Sequence, residues 1–276
     1  MQTPPLHLVH LLPVLDEKLL TLLRELSPDE WNRQTVASKW KVKDVVAHLL
    51  DGNIRILSML RDGQTLSTPE LGSFDKLTSW LNHLNAEWVD AMKRVSPQML
   101  IALHEFTGPM YCRYYASLDP FGISPFSVAW AGEAESRNWM HIAREYTEKW
   151  IHQQQIREAV QKQELLTREY FHPFFSTLIY ALPYTLRHTS VPDGSMVRVT
   201  ITGSEGGSWQ AVKGVNAWAL SENAVEPATA ELILSSGIAW KLFSRSLRPE
   251  DVRNEVQTTG DPKLAEAALH MVSVMA

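Results

Sequence analysis

The sequence predicts a two-domain protein, an N-terminal antiparallel four-helix bundle followed by a small α+β domain. Three observations carry this reading. Apolar residues recur at helical spacing through roughly the first 160 positions. From Met196 the pattern changes to period two, and glycine and asparagine turns separate the later runs. The division is expected near 162–192, giving domains 1–162 and 163–276.

The helices follow in order. "LLPVLDEKLLTLLREL" places leucines at helical spacing and stops near "SPDEW". "KVKDVVAHLLDGNIRILSML" carries an apolar stripe of Val42, Val45, Val46, Leu49 and Leu50. "SFDKLTSWLNHLNAEWVDAMKRV" predicts a third helix, capped by Ser73 and ended by the "SP" at 96–97. Residues 107–129, with Gly108, Pro109, Pro120, Gly122 and Pro125, read as a long irregular crossover. The fourth helix is expected from about Glu133 to Ala159.

"LLTREYFHPFFSTLIYALPYTLRH" reads as helical and leads into the second domain. "MVRVTITG", "SWQAVKG" and "NAWALSE" alternate as strands of an antiparallel sheet, and "ATAELILSS" is a further strand. "GIAWKLFSR" returns to helix, and "VRNEVQTTG" is a candidate strand. "DPKLAEAALHMVSVM" closes as an amphipathic helix with Asp261 as N-cap and Pro262 at its first position. No internal repeat or low-complexity tract interrupts the chain.

Composition excludes several classes. The chain has 276 residues, 45% hydrophobic and 21% charged, which is the balance of a globular protein. A net charge of −5, with no basic patch interleaved with aromatics, offers no field for nucleic acid. The single cysteine, Cys112, rules out an intramolecular disulfide and a cysteine-based zinc finger; in "MYCRYY" it reads as a small buried residue. The N-terminal apolar run lacks a basic leader and a small-residue cleavage site, so it does not read as a signal peptide. No apolar run approaches the ~20 residues of a membrane span, and a cytoplasmic location is the expectation.

One helix carries the candidate chemistry. In "REYTEKWIHQQQIREA", Glu148 and His152 are four apart, on one face. Such a pair is either a solvated polar face or two ligands that reach one metal ion. His48 sits on the apolar side of its own helix in "VVAHLL", where a neutral imidazole is either a satisfied core group or a ligand. His141, seven residues before Glu148, shares that residue's face and could compete as a ligand or supply a supporting hydrogen bond. His7 and His10, three apart, read as a partly exposed first turn. His83, His104, His172, His188 and His270 lack ligand-like spacing.

"WKVKDVVAHLLDG" resembles the "W-x-V-x-D-V-x-A-H-L" signature of the DinB/YfiT-like helical-bundle superfamily, whose histidine binds a metal. "AREYTEKWIHQQQIREA" resembles the second signature of the superfamily's maleylpyruvate isomerase branch. It matches at Ala143, Arg144, Trp150, His152, Ile156 and Arg157, with Glu148 at the acidic ligand position. "VAWAGE" is similar to the tryptophan-containing segment before that helix. "AWKLFSR" and "TTGDPKLAEAAL" resemble runs of the branch's second, sterol-carrier-protein (SCP2-like) domain. The resemblance implies a metal triad of His48, Glu148 and His152, and a catalytic arginine at Arg245, which otherwise reads as a surface residue. One departure stands out: the branch's aspartate after the second histidine is Gln155 here.

Two neutral imidazoles and one carboxylate leave a divalent ion at about +1 with an open position. Zinc suits this set best; iron, nickel and manganese are alternatives. The resemblance implies a low-molecular-weight thiol as cofactor (mycothiol, bacillithiol or glutathione) and cis–trans isomerisation of a maleyl-type diacid by thiolate addition and elimination. Two other readings stay open: a metal-dependent hydrolase using bound water, and a non-enzymatic small-molecule or lipid-binding module. The expected partners are the small substrate and the thiol, with no nucleic acid or membrane; the oligomeric state is open.

Overall fold

The computed structural model describes residues 3–65, 74–222 and 227–272. By its contacts the chain divides into two compact units. One comprises His7–Asp119 with Lys149–Gln163; the other comprises Met1–Leu6, Pro120–Glu148 and Glu164–Ala276. A helical N-terminal part is followed by a C-terminal domain built on a mixed sheet, the class expected from the sequence.

The N-terminal part holds five long helices among its described residues: α1 (Leu12–Glu25), α2 (Val42–Ile56), α3 (Phe74–Met92), α4 (Pro97–Ala116) and α5 (Asn138–Ala159). α1 and α2 bury the leucine and valine stripes read from the sequence, with Leu19, Leu22, Val42, Val45, Val46 and Leu50 in one core with Leu100 and Ile156. The Asp44 carboxylate accepts the Lys41 N–H at 2.9 Å, satisfying an otherwise orphaned donor at the start of α2. The expected cap of α3, Ser73, lies outside the described residues.

α4 corrects the sequence reading. Residues 107–116 are helical, where an irregular connection was expected. The "SP" at 96–97 starts this helix: Ser96 Oγ accepts the Met99 N–H at 3.2 Å, and Pro97 occupies the first turn. Pro109 removes one helical hydrogen bond, a local cost of about 3 kcal/mol. Burial of Leu100, His104, Thr107, Tyr111, Cys112 and Tyr115 along one face offsets it. That helical period runs straight through the Gly-Pro pair. α5 also starts later than Glu133, because residues 129–131 form a separate 3-10 turn and Ser136 Oγ accepts the Val128 N–H at 2.8 Å.

In the unit that also takes in residues 138–148 of α5, α6 (Arg168–Leu178) and α7 (Ala181–Leu186) precede the strands β1 (Met196–Thr202), β2 (Gly207–Lys213), β3 (Trp218–Ser221) and β4 (Ala230–Ser235). Then come α8 (Ser236–Phe243), α9 (Pro249–Val252), β5 (Gln257–Gly260) and α10 (Pro262–Leu269). The sheet order is β3-β2-β1-β4-β5. β1, β2 and β3 pair antiparallel as expected, but β4 lies parallel to β1, with Val199 beside Leu232. Alternation reports which face a side chain takes and is blind to strand direction. Val197, Val199, Ile201, Leu232 and Leu234 are buried, while Thr200 on the opposite face donates to Glu231 at 2.8 Å. Asp261 caps α10 as expected, accepting the Lys263 and Leu264 N–H groups at 2.8 and 3.1 Å.

Candidate metal centre

α5 is polar in sequence yet enclosed around most of its circumference. Lys149, His152, Gln153, Gln154, Gln155 and Arg157 are all buried along it. Two of these tie it to α1: Gln153 Nε2 donates to the Leu15 carbonyl at 2.8 Å, and Arg157 Nη2 to the Lys18 carbonyl at 3.1 Å. A helix held this way presents each side chain at a fixed angle, and that decides where Glu148 and His152 point.

His48 of α2 meets them. One ligand atom each from His48, Glu148 and His152 lies within 4.8 Å of the others. The two imidazole rings stand edge to face at 4.5 Å between centroids. Burial, and after it the neighbouring His152 and Arg55, hold the His48 pKa well below its usual 6.5. The ring is therefore neutral near pH 7, with a lone pair to offer.

The residues fit a divalent cation. His48 Nδ1 is buried and has no hydrogen-bond partner, and an orphaned buried polar atom is costly unless something fills it. Ligands about 2.1 Å from one ion lie at most roughly 4.2 Å apart, so small side-chain rotations bring this cluster to bonding range. Two nitrogens and one carboxylate oxygen suit zinc and neighbouring transition metals.

Trp40 forms one wall, its ring 4.8 Å from His48 and 6.2 Å from His152. The preceding loop holds it there: Gln34 Nε2 and Thr35 Oγ1 both donate to the Trp40 carbonyl, at 2.8 and 2.7 Å. In the sequence this tryptophan stands only as the first residue of the "WKVKDVVAHLLDG" motif. Gln155, noted as a departure, touches the centre directly: its Oε1 lies 2.9 Å from His152 Nδ1.

A second polar group was missed outright. Lys149 Nζ donates to Asn53 Oδ1 at 2.8 Å and lies 3.8 Å from Asp16 Oδ1. Asn53 Nδ2 donates onward to Thr107 Oγ1 at 3.1 Å. The Lys149 ammonium also sits over the Tyr111 ring, 4.3 Å from its centroid. Burial raises the Asp16 pKa, and Lys149 only partly opposes the shift. Four helices thus share one enclosed ion pair beside the metal candidates. A sequence signal existed: Asp16 interrupts the stripe of Leu12, Leu15, Leu19 and Leu22 on the inward face of α1.

The remaining candidates are not among the gathered ligands. His141 is fully buried, its Nδ1 3.0 Å from Arg144 Nη2, and it is not one of the gathered ligands. His7 and His10 stack on each other at 5.6 Å. Arg245 is exposed on the turn after α8 with a left-handed backbone, φ 62°. Cys112 is buried in α4, and burial pushes its thiol pKa up to about 11, which keeps it protonated and unreactive. No described helix is long and apolar enough to cross a membrane.

Comparison with known proteins adds to this geometry. Residues 12–157, more than half of the chain, match the sequence profile described as "Mycothiol maleylpyruvate isomerase N-terminal domain". Among solved structures, a histidine-to-alanine mutant of a mycothiol-dependent maleylpyruvate isomerase superposes with a TM-score of 0.56 at 10% identity, covering 91% of each chain. A further crystal structure of a mycothiol-dependent maleylpyruvate isomerase gives 0.52 at 11% identity, again over 91% of each chain. At such identities the likeness is one of fold. No curated protein matches the chain. On the extent of the profile match, the chain belongs to the mycothiol maleylpyruvate isomerase N-terminal domain family.

Proposed function

We propose that the chain is a metal- and thiol-dependent isomerase of the maleylpyruvate isomerase type, with His48, Glu148 and His152 as the ligands of one divalent cation. The observation that carries this is the gathering of three ligand atoms from α2 and α5 within 4.8 Å around a neutral His48. Family membership supports the thiol and the reaction class. His48, Glu148 and His152 would hold the cation, which would supply the Lewis acidity that favours the thiolate form of a thiol at neutral pH. The two imidazoles contribute no charge and Glu148 contributes one, so the centre keeps a positive charge that attracts anions. Trp40 shields one side from water. The thiolate would add to one carbon of the cis double bond while the π pair moves onto the conjugated carbonyl oxygen as an enolate; the resulting single bond would rotate, and return of that pair would re-form the double bond and expel the thiolate with the trans product. Cys112, protonated and buried, takes no part. Arg245, exposed on its turn, offers a guanidinium for a substrate carboxylate through paired hydrogen bonds.

The test begins with elemental analysis of purified protein. About one equivalent of zinc or another transition metal is expected, and its loss in His48→Ala. The cobalt-substituted protein should then change its visible spectrum on addition of mycothiol, bacillithiol or glutathione. Maleylpyruvate should isomerise only with a thiol present, and Arg245→Ala should raise KM about tenfold or more while leaving metal content unchanged. Metal-free protein with undiminished turnover would refute the metal ligation. A cobalt spectrum indifferent to thiols, alongside ester or amide hydrolysis, would replace the thiol chemistry with that of bound water.

A further inference from the structure

Histidine ligates a metal through one nitrogen only when the proton sits on the other, so some neighbour has to choose the tautomer. We propose that Gln155 is that neighbour: a positioning residue that fixes the proton of His152 on Nδ1 and turns the lone pair of Nε2 toward the metal centre. The inference rests on the metal reading above and deepens it. His152 and Gln155 lie three residues apart on α5, so the helix itself holds them face to face. Their contact is 2.9 Å, Nδ1 to Oε1. His152 is 5% exposed and Gln155 1% exposed, so water does not compete for either group. An amide oxygen only accepts, so the nitrogen facing it must donate. With that oxygen facing the ring, the opposite tautomer would set two acceptors against each other inside the protein, a cost of about 1–3 kcal/mol, or would require the amide to turn its Nε2 toward the ring.

The amide also does something a carboxylate would not. It orients the ring without adding charge. With Glu148 as the one acidic ligand, a divalent ion keeps a net charge of about +1, which favours an anionic thiolate or carboxylate in the open position. A carboxylate at 155 would orient His152 equally well but cancel that charge. Gln155 therefore separates two properties that an acidic residue would couple, ring orientation and the affinity of the centre for anions.

The decisive measurement needs no metal. Nitrogen-15 NMR of histidine-labelled apo protein, at a pH where the ring is neutral, should show His152 with its proton on Nδ1. A wild-type ring protonated on Nε2 overturns the proposal. Gln155→Met, similar in volume, should give a mixture of tautomers and lower the Co²⁺ affinity about 10- to 100-fold. Gln155→Glu should restore the Nδ1 proton and cobalt binding while weakening azide binding to the cobalt protein at least several-fold. A merely structural role predicts a lower melting temperature in Gln155→Met with the His152 tautomer unchanged, and that result also sinks the proposal. Failure of the metal reading looks different: wild-type protein binds no cobalt, yet the tautomer result in apo protein is unaffected.

Discussion

The buried ion pair of Asp16 and Lys149 offers the sharpest test of how the helical unit is held together. Each residue is 6% exposed, and their charged atoms lie 3.8 Å apart. At an effective dielectric of about 20, that separation corresponds to an attraction of about 4 kcal/mol. Removing one partner strands the other: Asp16→Leu leaves the ammonium with Asn53 and the Tyr111 ring alone, and Lys149→Met leaves an enclosed carboxylate. Each single substitution should cost about 3–5 kcal/mol. The double substitution removes both charges and leaves only the Asn53 Oδ1 acceptor unpaired, a penalty of about 1–3 kcal/mol. Urea denaturation of the four proteins closes the double-mutant cycle, with midpoint and slope read separately. The expected coupling is about 3 kcal/mol or more, with the double variant more stable than either single. If the two single costs add to within about 0.5 kcal/mol, the residues do not compensate each other's burial and the account is wrong.

Two further predictions concern the same interior. A Cβ at position 108 would collide with the Asp16 carboxylate, so Gly108→Ala should destabilise the wild type by about 1–3 kcal/mol despite its better helix propensity. In an Asp16→Ala background the same change should be neutral or stabilising by up to about 1 kcal/mol, as measured by urea midpoints; the same sign in both backgrounds would refute the steric cause. The second concerns pH. His104 is fully buried with Nε2 at 3.0 Å from the Val46 carbonyl, and burial lowers its pKa from 6.5 to about 4. Between those values the unfolded chain binds the proton and the native one does not, so stability falls as pH falls through the window. The His104 share of that loss is about 3 kcal/mol. It should vanish in His104→Gln when unfolding free energy is followed from pH 7 to pH 4, and an unchanged slope would show that His104 does not stay neutral in the fold.

How much of this was readable in advance depends on the range of the interaction behind each feature. α1, α2 and the Asp261 cap follow from residues within a turn of one another, and there the helical period and the capping chemistry suffice. α4 was hidden because Gly108 and Pro109 carry strong local penalties, while the burial that overrides them comes from α1 and α2. Strand direction was hidden for a related reason: alternation is identical in parallel and antiparallel pairs, and only the path of the chain places β4 parallel to β1. Within the centre, Glu148 and His152 were visible as a pair because one helix sets their spacing.

The sequence by itself determined the local half of this protein: the helices and strands whose patterns repeat, the one-turn spacing of Glu148 and His152, and a histidine on the inward face of α2. Tertiary structure alone decided what those groups meet. His48 reaches across about 100 positions to His152, Trp40 walls both rings, and Lys149 finds Asp16 and Asn53. The physical reason is that periodicity encodes which side of an element faces inward. The partner waiting there is chosen by packing between elements distant in sequence, where burial makes every unmatched polar atom costly.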